Sequence, residues 1–338
     1  MKLEDFKRFP LANLPTPMHP LRRFSQHLEG PEIWIKRDDC TGLAGGGNKT
    51  RKLEYLIADA IAHGADTLVT VGGIQSNHTR QTAAAAAVAG LRCELVQRRW
   101  VKRSDPSYEN VGNILLSRIL GARITIVAGS GRIGISERPF QAVVRRLSRE
   151  GGIPYVIPAG GSDHALGGLG YVRCAQEIVE QSRLANIRFD AIVHATSSGS
   201  TQAGLVVGLA GLGAATRVIG IEVNAQGNHT RAMVSKIAKQ TAKMLGVTGD
   251  GLQFDVRSGY AGEAYAIPTA SSLEAIALLA RLEGILVDPV YEAKSLAGLI
   301  DLVRHGEFRK EERVLFLHLG GTPALHAYAS LFHGGAKT

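Results

Sequence analysis

Short β-rich apolar runs alternate with longer stretches of helical periodicity along nearly all of this 338-residue chain. The spacing predicts strands at Ile33–Lys36, Thr67–Val71, Cys93–Val96, Ile124–Val127, Tyr155–Ile157, Ala191–Ala195, Arg217–Glu222 and Arg313–Leu317. Helices are predicted over residues 50–63, 77–90, 107–120, 136–150, 167–184, 201–213, 226–246, 272–283, 290–304 and 322–333. Strands separated by helix-length connections cannot pair as hairpins, so the pattern specifies an α/β chain with open, twisted parallel sheets wrapped by helices. A chain of this length suits two domains. No Pro/Ser-rich tether divides it. The boundary must therefore come from strands that cross between sheets. The expectation is a large domain of residues 1–49 plus 164–338 and a small inserted α/β domain of residues 50–163.

In open α/β sheets, ligands collect beyond the carboxyl ends of the strands, and the loops expected there are chemically loaded. Residues 45–52 read Gly-Gly-Gly-Asn-Lys-Thr-Arg-Lys. The glycines remove side-chain bulk and permit left-handed turns just before Lys49, so an amine can meet a flat ligand packed on bare backbone. Lysine forms Schiff bases with carbonyl compounds. Ser197-Ser-Gly-Ser-Thr201 sits between a strand and a helix. It reads either as an anion cradle of outward N–H groups and hydroxyls or as a plain helix cap. Ser76, Asn77 and Thr79 open another helix, with the same two readings and a tilt toward a ligand site. The glycine loop from Gly160 to Gly170 is read as a structural connection. Tyr291 and Glu292 lie in a first helical turn after Pro289, where they complement the dipole, edge the core or take part in chemistry.

Other function classes find less support. No run of about 18 apolar residues suggests a membrane span, and the start of the chain lacks the apolar segment of a signal peptide, so a cytoplasmic setting is expected. Cys40, Cys93 and Cys174 have neither zinc nor disulfide spacing. His78, His164, His194 and His318 lack metal-ligand spacing and read as hydrogen-bonding residues of a polar rim. The net charge of +9 is dispersed. Its densest cluster, Arg98-Arg-Trp-Val-Lys-Arg103, reads first as a solvated loop, then as a site-lining loop and only last as a nucleic-acid patch.

Taken together, Leu14-Pro-Thr-Pro17, Ile35-Lys-Arg-Asp-Asp39, Gly46-Gly-Asn-Lys-Thr-Arg-Lys-Leu-Glu54, Ile74-Gln-Ser-Asn77, Asp288-Pro-Val-Tyr291 and His318-Leu-Gly-Gly-Thr-Pro-Ala324 resemble the fold type II pyridoxal-phosphate enzymes, the tryptophan synthase β-like family. Within it the chain is similar to the group that holds 1-aminocyclopropane-1-carboxylate (ACC) deaminases, D-cysteine desulfhydrases and L-cysteate sulfo-lyases. The resemblance implies that Lys49 carries pyridoxal 5'-phosphate, that Ser198, Gly199, Ser200 and Thr201 hold its phosphate, that Asn77 touches the ring hydroxyl and that Glu292 faces the pyridine nitrogen. It implies that Ser76, Asn77, Trp100 and Leu319 bind a small amino-acid substrate, with Tyr291 and Tyr265 flanking it and sharing catalysis with Lys49 and Ser76. Tyr291-Glu292 and His318-Leu319 favour the ACC pattern, whereas Ser76-Asn-His78 and Ile33-Trp-Ile-Lys36 look more like the sulfur-substrate members. The implied activity is ring opening of ACC to 2-oxobutanoate and ammonia, with β-elimination from D-cysteine or L-cysteate as the alternative. A homodimer without metal, nucleic acid or membrane is the implied assembly. A basic binding protein that kept the scaffold without the chemistry is the rival from another class.

Overall fold

The computed structural model describes residues 1–101, 106–129 and 131–332. Its strands are β1 (Met18–Pro20), β2 (Glu32–Arg37), β3 (Thr67–Gly73), β4 (Arg92–Arg98), β5 (Arg123–Val127), β6 (Pro154–Ile157), β7 (Ala191–Thr196), β8 (Arg217–Glu222), β9 (Asp255–Arg257) and β10 (Arg313–His318). Its α-helices are α1 (Arg22–Leu28), α2 (Lys49–Ala62), α3 (Asn77–Ala89), α4 (Asn113–Ile119), α5 (Arg138–Arg149), α6 (Leu169–Leu184), α7 (Ser200–Gly211), α8 (Gly227–Leu245), α9 (Ala270–Glu283) and α10 (Glu292–Arg304).

Two sheets form, ordered β1-β2-β10-β7-β8-β9 and β5-β4-β3-β6. All pairings are parallel except β1 with β2. The run of side chains along β3 and along β7 is buried throughout, as expected of strands covered by helices on both faces. In the larger sheet, Ile33, Ile35, Val193, Ile219 and Phe316 pack against α9 and α10, while Ile192, Val218, Leu315 and Leu317 pack on the other face with α6 and α7. Removing a leucine such as Leu299 from this core to leave alanine would cost about 2–5 kcal/mol.

Several expectations are corrected. The three-residue strands β1 and β9, at the edges of the larger sheet, and the short helix α1 had no periodic signal to announce them. The helix expected over 107–120 is shorter: a 3-10 turn at Pro106–Glu109 precedes α4, and Gly112 between them has φ +66°. The stretch expected as a helix over 322–333 is a 3-10 run, Thr322–Leu331, broken at Tyr328. Residue 333, with Lys102 and Arg103 of the basic cluster, lies outside the described residues. Of the rest of that cluster, Arg99 is exposed, as the solvated-loop reading expects, in an ion pair with Glu109, whereas Arg98 is largely covered and pairs with Glu137.

Candidate active site

The loops after β3, β6, β7 and β10 converge on one cavity of about 410 Å³. The glycine loop leads into it. Gly45, Gly46 and Gly47 have φ of +86°, +68° and +126°, and a Cβ on Gly46 would overlap the Asp39 carbonyl oxygen. α2 then begins at Lys49, without a side-chain cap of its own. Gln81 of α3 supplies one from outside, its Oε1 accepting from the Thr50 backbone N–H at 2.9 Å and from Thr50 Oγ1 at 3.0 Å. Two residues on, the buried Arg51 is held bidentately by Asp38 (2.8 and 2.8 Å) and by Glu177 (2.7 and 2.9 Å). The start of α2 is thereby fixed from two sides.

Lys49 Nζ donates to Asn48 Oδ1 at 2.9 Å and lies 5.7 Å from the centre of the Tyr291 ring. Burial pushes its amine down to about 8, against the attraction of Glu292 and Asp288 and with help from Arg80. At pH 7 about a tenth of it is therefore the neutral nucleophile, far more than for an ordinary lysine at 10.5.

At another wall, Gly199 (φ +94°) turns the chain into α7. A Cβ there would come within 3.0 Å of Val234 N. The hydroxyls of Ser198 and Ser200 lie 2.6 and 2.8 Å from Ser162 Oγ. Thr201 Oγ1 accepts from Asn48 Nδ2 at 3.3 Å, which ties this helix start to the residue beside Lys49. The buried Thr196 Oγ1 has no hydrogen-bond partner among the described residues. Ser162, Gly160, Asn48 and Lys52 line the cavity and were not singled out from sequence. The loop containing Gly160 and Ser162, read as a structural connection, thus borders the site. Lys52 is buried, and its ammonium makes no hydrogen bond or ion pair among the described residues, although it faces the Tyr171 ring at 5.9 Å. Its position, one helical turn after Lys49, was the available signal.

On the third wall, Ser76 caps α3, its Oγ accepting from Thr79 N at 3.3 Å, so the capping reading holds and the residue also lines the cavity. Asn77 Oδ1 accepts from Asn113 Nδ2 at 2.8 Å. Opposite, Asp288 gathers the N–H groups of Val290, Tyr291 and Glu292 at 2.9–3.1 Å, fixing the start of α10. Glu292 is 1% exposed; its Oε2 accepts from Leu319 N at 3.0 Å and lies 3.8 Å from His318 Nδ1. Burial, then the nearby Asp288, hold its carboxyl well above the usual range. The hydroxyls of Tyr265 and Tyr291 share a short hydrogen bond. Tyr265 meets the Trp100 ring edge-on at 5.1 Å. Burial pushes Tyr291 up to about 12, opposed by the hydrogen bond from Tyr265.

Of the four histidines read as rim residues, His164 is half-buried and lies 3.1 Å from the Tyr155 hydroxyl, while the other three lie inside the packing rather than at a rim. His78, His194 and His318 are buried, and desolvation pushes His78 down to about 3 and His194 down to about 4. They are neutral because strand and helix packing surrounds them; His78 lines the cavity, and each is hydrogen-bonded, His78 with Thr70 Oγ1 at 2.8 Å, His194 with Ala195 O at 2.9 Å and His318 with Leu286 O at 2.9 Å. Among the described residues no cluster of His, Cys, Asp or Glu has the arrangement to hold a metal ion, and no helix is long and apolar enough to cross a membrane.

A family model for pyridoxal-phosphate dependent enzymes matches residues 10–320. The chain belongs to that family. The enzyme is 52% identical over 339 residues to a protein of Burkholderia vietnamiensis (strain G4 / LMG 22486) named 1-aminocyclopropane-1-carboxylate deaminase, with 99% of this chain and 100% of that one covered. It is 51% identical to the protein of the same name from Burkholderia multivorans (strain ATCC 17616 / 249), with the same coverage. Among solved structures, an ACC deaminase homologue superimposes with TM-score 0.88 at 38% identity, covering 97% of this chain and 96% of that one. O-ureido-L-serine synthase superimposes with TM-score 0.67 at 17% identity, covering 99% and 96%, a likeness of fold. The enzyme is thus pyridoxal-phosphate dependent, with the two parallel-sheet domains of fold type II. The cavity fits that cofactor on its own chemistry. It offers an amine of lowered proton affinity, a helix start with hydroxyls, a Thr196 Oγ1 without a partner among the described residues, a glycine at 199 where a Cβ would crowd Val234 N, and a desolvated carboxyl on Glu292.

Proposed function

We propose that the enzyme opens the cyclopropane ring of ACC, consuming one water and giving 2-oxobutanoate and ammonia. The observation that carries this reading is the Tyr265–Tyr291 hydroxyl pair, with the Tyr291 ring beside the Lys49 amine. The names of the relatives support it. In this reading Lys49 would hold the cofactor through its aldehyde, and Ser198, Gly199, Ser200 and Thr201 would hold its phosphate at the start of α7, where N–H groups and the helix dipole favour an anion. Asn77 meets the ring hydroxyl. Glu292 faces the ring nitrogen: its carboxyl, desolvated beside Asp288, gains charge most readily against a cation placed there. Pyridoxal phosphate, when bound, supplies an electron sink conjugated to the substrate α-carbon.

ACC carries no hydrogen on its α-carbon, so Lys49 cannot begin by removing one. The first bond to change lies at a ring methylene. Tyr291 is the group we assign to it, with Tyr265 donating a hydrogen bond to its oxygen. The Lys49 amine would move protons to and from the substrate carbons. Ser76 and Asn77, at the start of α3, bind the substrate carboxylate, and Trp100 and Leu319 close its sides and exclude water.

The same reading assigns residues 50–163 to a small inserted domain, supported by the four-stranded sheet that falls wholly within them, and residues 1–49 plus 164–338 to the large one. A homodimer rests on the family resemblance, and a cytoplasmic setting belongs to the same reading. Steady-state assays of pure enzyme with ACC, D-cysteine and L-cysteate test the activity. Release of 2-oxobutanoate from ACC is the expected result; sulfide from D-cysteine or sulfite from L-cysteate, with no product from ACC, would replace it. Loss of the visible cofactor absorption in Lys49→Ala tests the attachment.

A further inference from the structure

Arg80, on α3, is completely buried, yet among the described residues it pairs with no carboxylate. Its guanidinium donates instead to three neutral acceptors: Asn113 Oδ1 at 2.7 Å, Gly46 O at 2.9 Å and Ala44 O by a short contact. Two of these are carbonyls of the loop that delivers Lys49. The third belongs to Asn113, whose Nδ2 donates onward to Asn77 Oδ1 at 2.8 Å and to Gln75 O at 3.0 Å. Gln75 Oε1 returns the contact by accepting from Asn113 N at 2.9 Å. One planar fork thus joins the glycine loop to the start of α3, and a lysine has no comparable fork. Burial lowers the Arg80 proton affinity only to about 10, so a full positive charge remains with no counter-ion. Burying such a charge is costly.

We propose that Arg80 is a positioning residue for Lys49, acting with Asn113 to hold the glycine loop in register with Asn77 and to set a permanent cation between them. The proposal rests on the reading in which Lys49 bonds the cofactor and Ser76–Asn77 receive the substrate carboxylate. The groups that bear on the amine are Glu292 and Asp288 from α10 and its lead-in, Arg80 and His78 from α3, Lys52 one turn along α2, and the Tyr291 ring. The two carboxyls favour the charged amine. Arg80 opposes them, which helps to leave the amine titrating near 8.

The test uses trace acetylation with acetic anhydride across pH, read at Lys49 by peptide mass spectrometry on cofactor-free enzyme, together with ACC kinetics on the reconstituted enzyme. Arg80→Gln removes the cation, and the labelling midpoint is expected to move upward. Arg80→Lys keeps the charge but not the fork, so the midpoint stays near wild type while KM for ACC rises roughly tenfold, the scale of a lost charge-assisted hydrogen bond. Asn113→Ala keeps the cation but cuts the bridge from Arg80 to Asn77, together with the side-chain contact to Gln75 O, with the same rise in KM and no shift in midpoint. An unmoved midpoint in Arg80→Gln would overturn the electrostatic role. Unchanged KM in both Arg80→Lys and Asn113→Ala would overturn the positioning role, and these two variants decide it should Arg80→Gln not fold. Added cofactor should protect wild-type Lys49 from acetylation. Absence of protection would defeat the functional reading while leaving the cofactor-free comparison of midpoints intact.

Discussion

Tyr265→Phe removes one hydroxyl from the site and little else. The ring keeps its edge-on contacts with Trp100 at 5.1 Å and with Tyr291 at 5.7 Å, so folding and cofactor absorption should change little. What changes is the environment of the Tyr291 oxygen. With Tyr291 titrating at about 12, placing negative charge on it at pH 8 costs about 5.4 kcal/mol, four pH units at about 1.36 kcal/mol each. Burial sets that cost, and the Tyr265 hydroxyl already lowers it. A hydrogen bond to a charged group contributes about 1.5–3 kcal/mol. Its loss from a step in which Tyr291 gains charge therefore slows that step about 10- to 150-fold. The assay is 2-oxobutanoate release at saturating ACC. The expected result is a fall in kcat within that range, a small change in KM, and a rise of kcat with pH that is displaced to higher pH, because the charged form of Tyr291 is the active one. A kcat within twofold of wild type, with the cofactor fully bound, would refute the assignment of the first bond change to Tyr291.

Gly199→Ala should weaken cofactor binding about 10- to 100-fold in equilibrium dialysis, because φ +94° and a Cβ 3.0 Å from Val234 N strain the start of α7 by about 1–3 kcal/mol; unchanged affinity would dissociate that turn from the cofactor. Cofactor uptake by the cofactor-free enzyme should accelerate as pH rises and level off above about 8, because the amine must lose its proton to react and burial makes it do so well below the 10.5 of an ordinary lysine. A midpoint near 10.5 would mean that the amine is solvated. Gly204→Ala should lower the urea midpoint, by about 1–3 kcal/mol of stability, since a Cβ there overlaps the Gly168 carbonyl and lies 2.7 Å from Tyr171 Cβ. The activity of the molecules that remain folded should be retained.

The elements nearest the site were also the most legible. Helices expected over 50–63 and 77–90 stand at Lys49–Ala62 and Asn77–Ala89, because a long amphipathic or alanine-rich run beginning at a glycine loop or a serine cap carries its own start signal. Strands buried on both faces were equally plain as short apolar runs. The edge strands β1 and β9 were not, since three residues cannot display a period and their pairing comes from the neighbour they lie against. The run from Thr322 resembled a helix in composition but closes as 3-10 turns against Tyr108, Val290 and Ile74, a packing decision that no local propensity records.

The local chemistry of the site was a property of the sequence: an amine behind three glycines, hydroxyls at a helix start, and a tyrosine–glutamate pair after Asp-Pro. Those roles are set by residue type and by backbone freedom within a few positions, which a sequence states directly. Only the tertiary structure decided how these groups meet and what their proton affinities become. Ser162 reaches Ser198 and Ser200 across 36 and 38 positions, Tyr265 reaches Tyr291, and Arg80 ties residue 46 to residue 77 through Asn113. Desolvation, which brings the Lys49 amine down to about 8 and pushes the Tyr291 hydroxyl up to about 12, depends on everything packed around them. That surrounding is assembled from two sheets whose residues lie far apart along the chain.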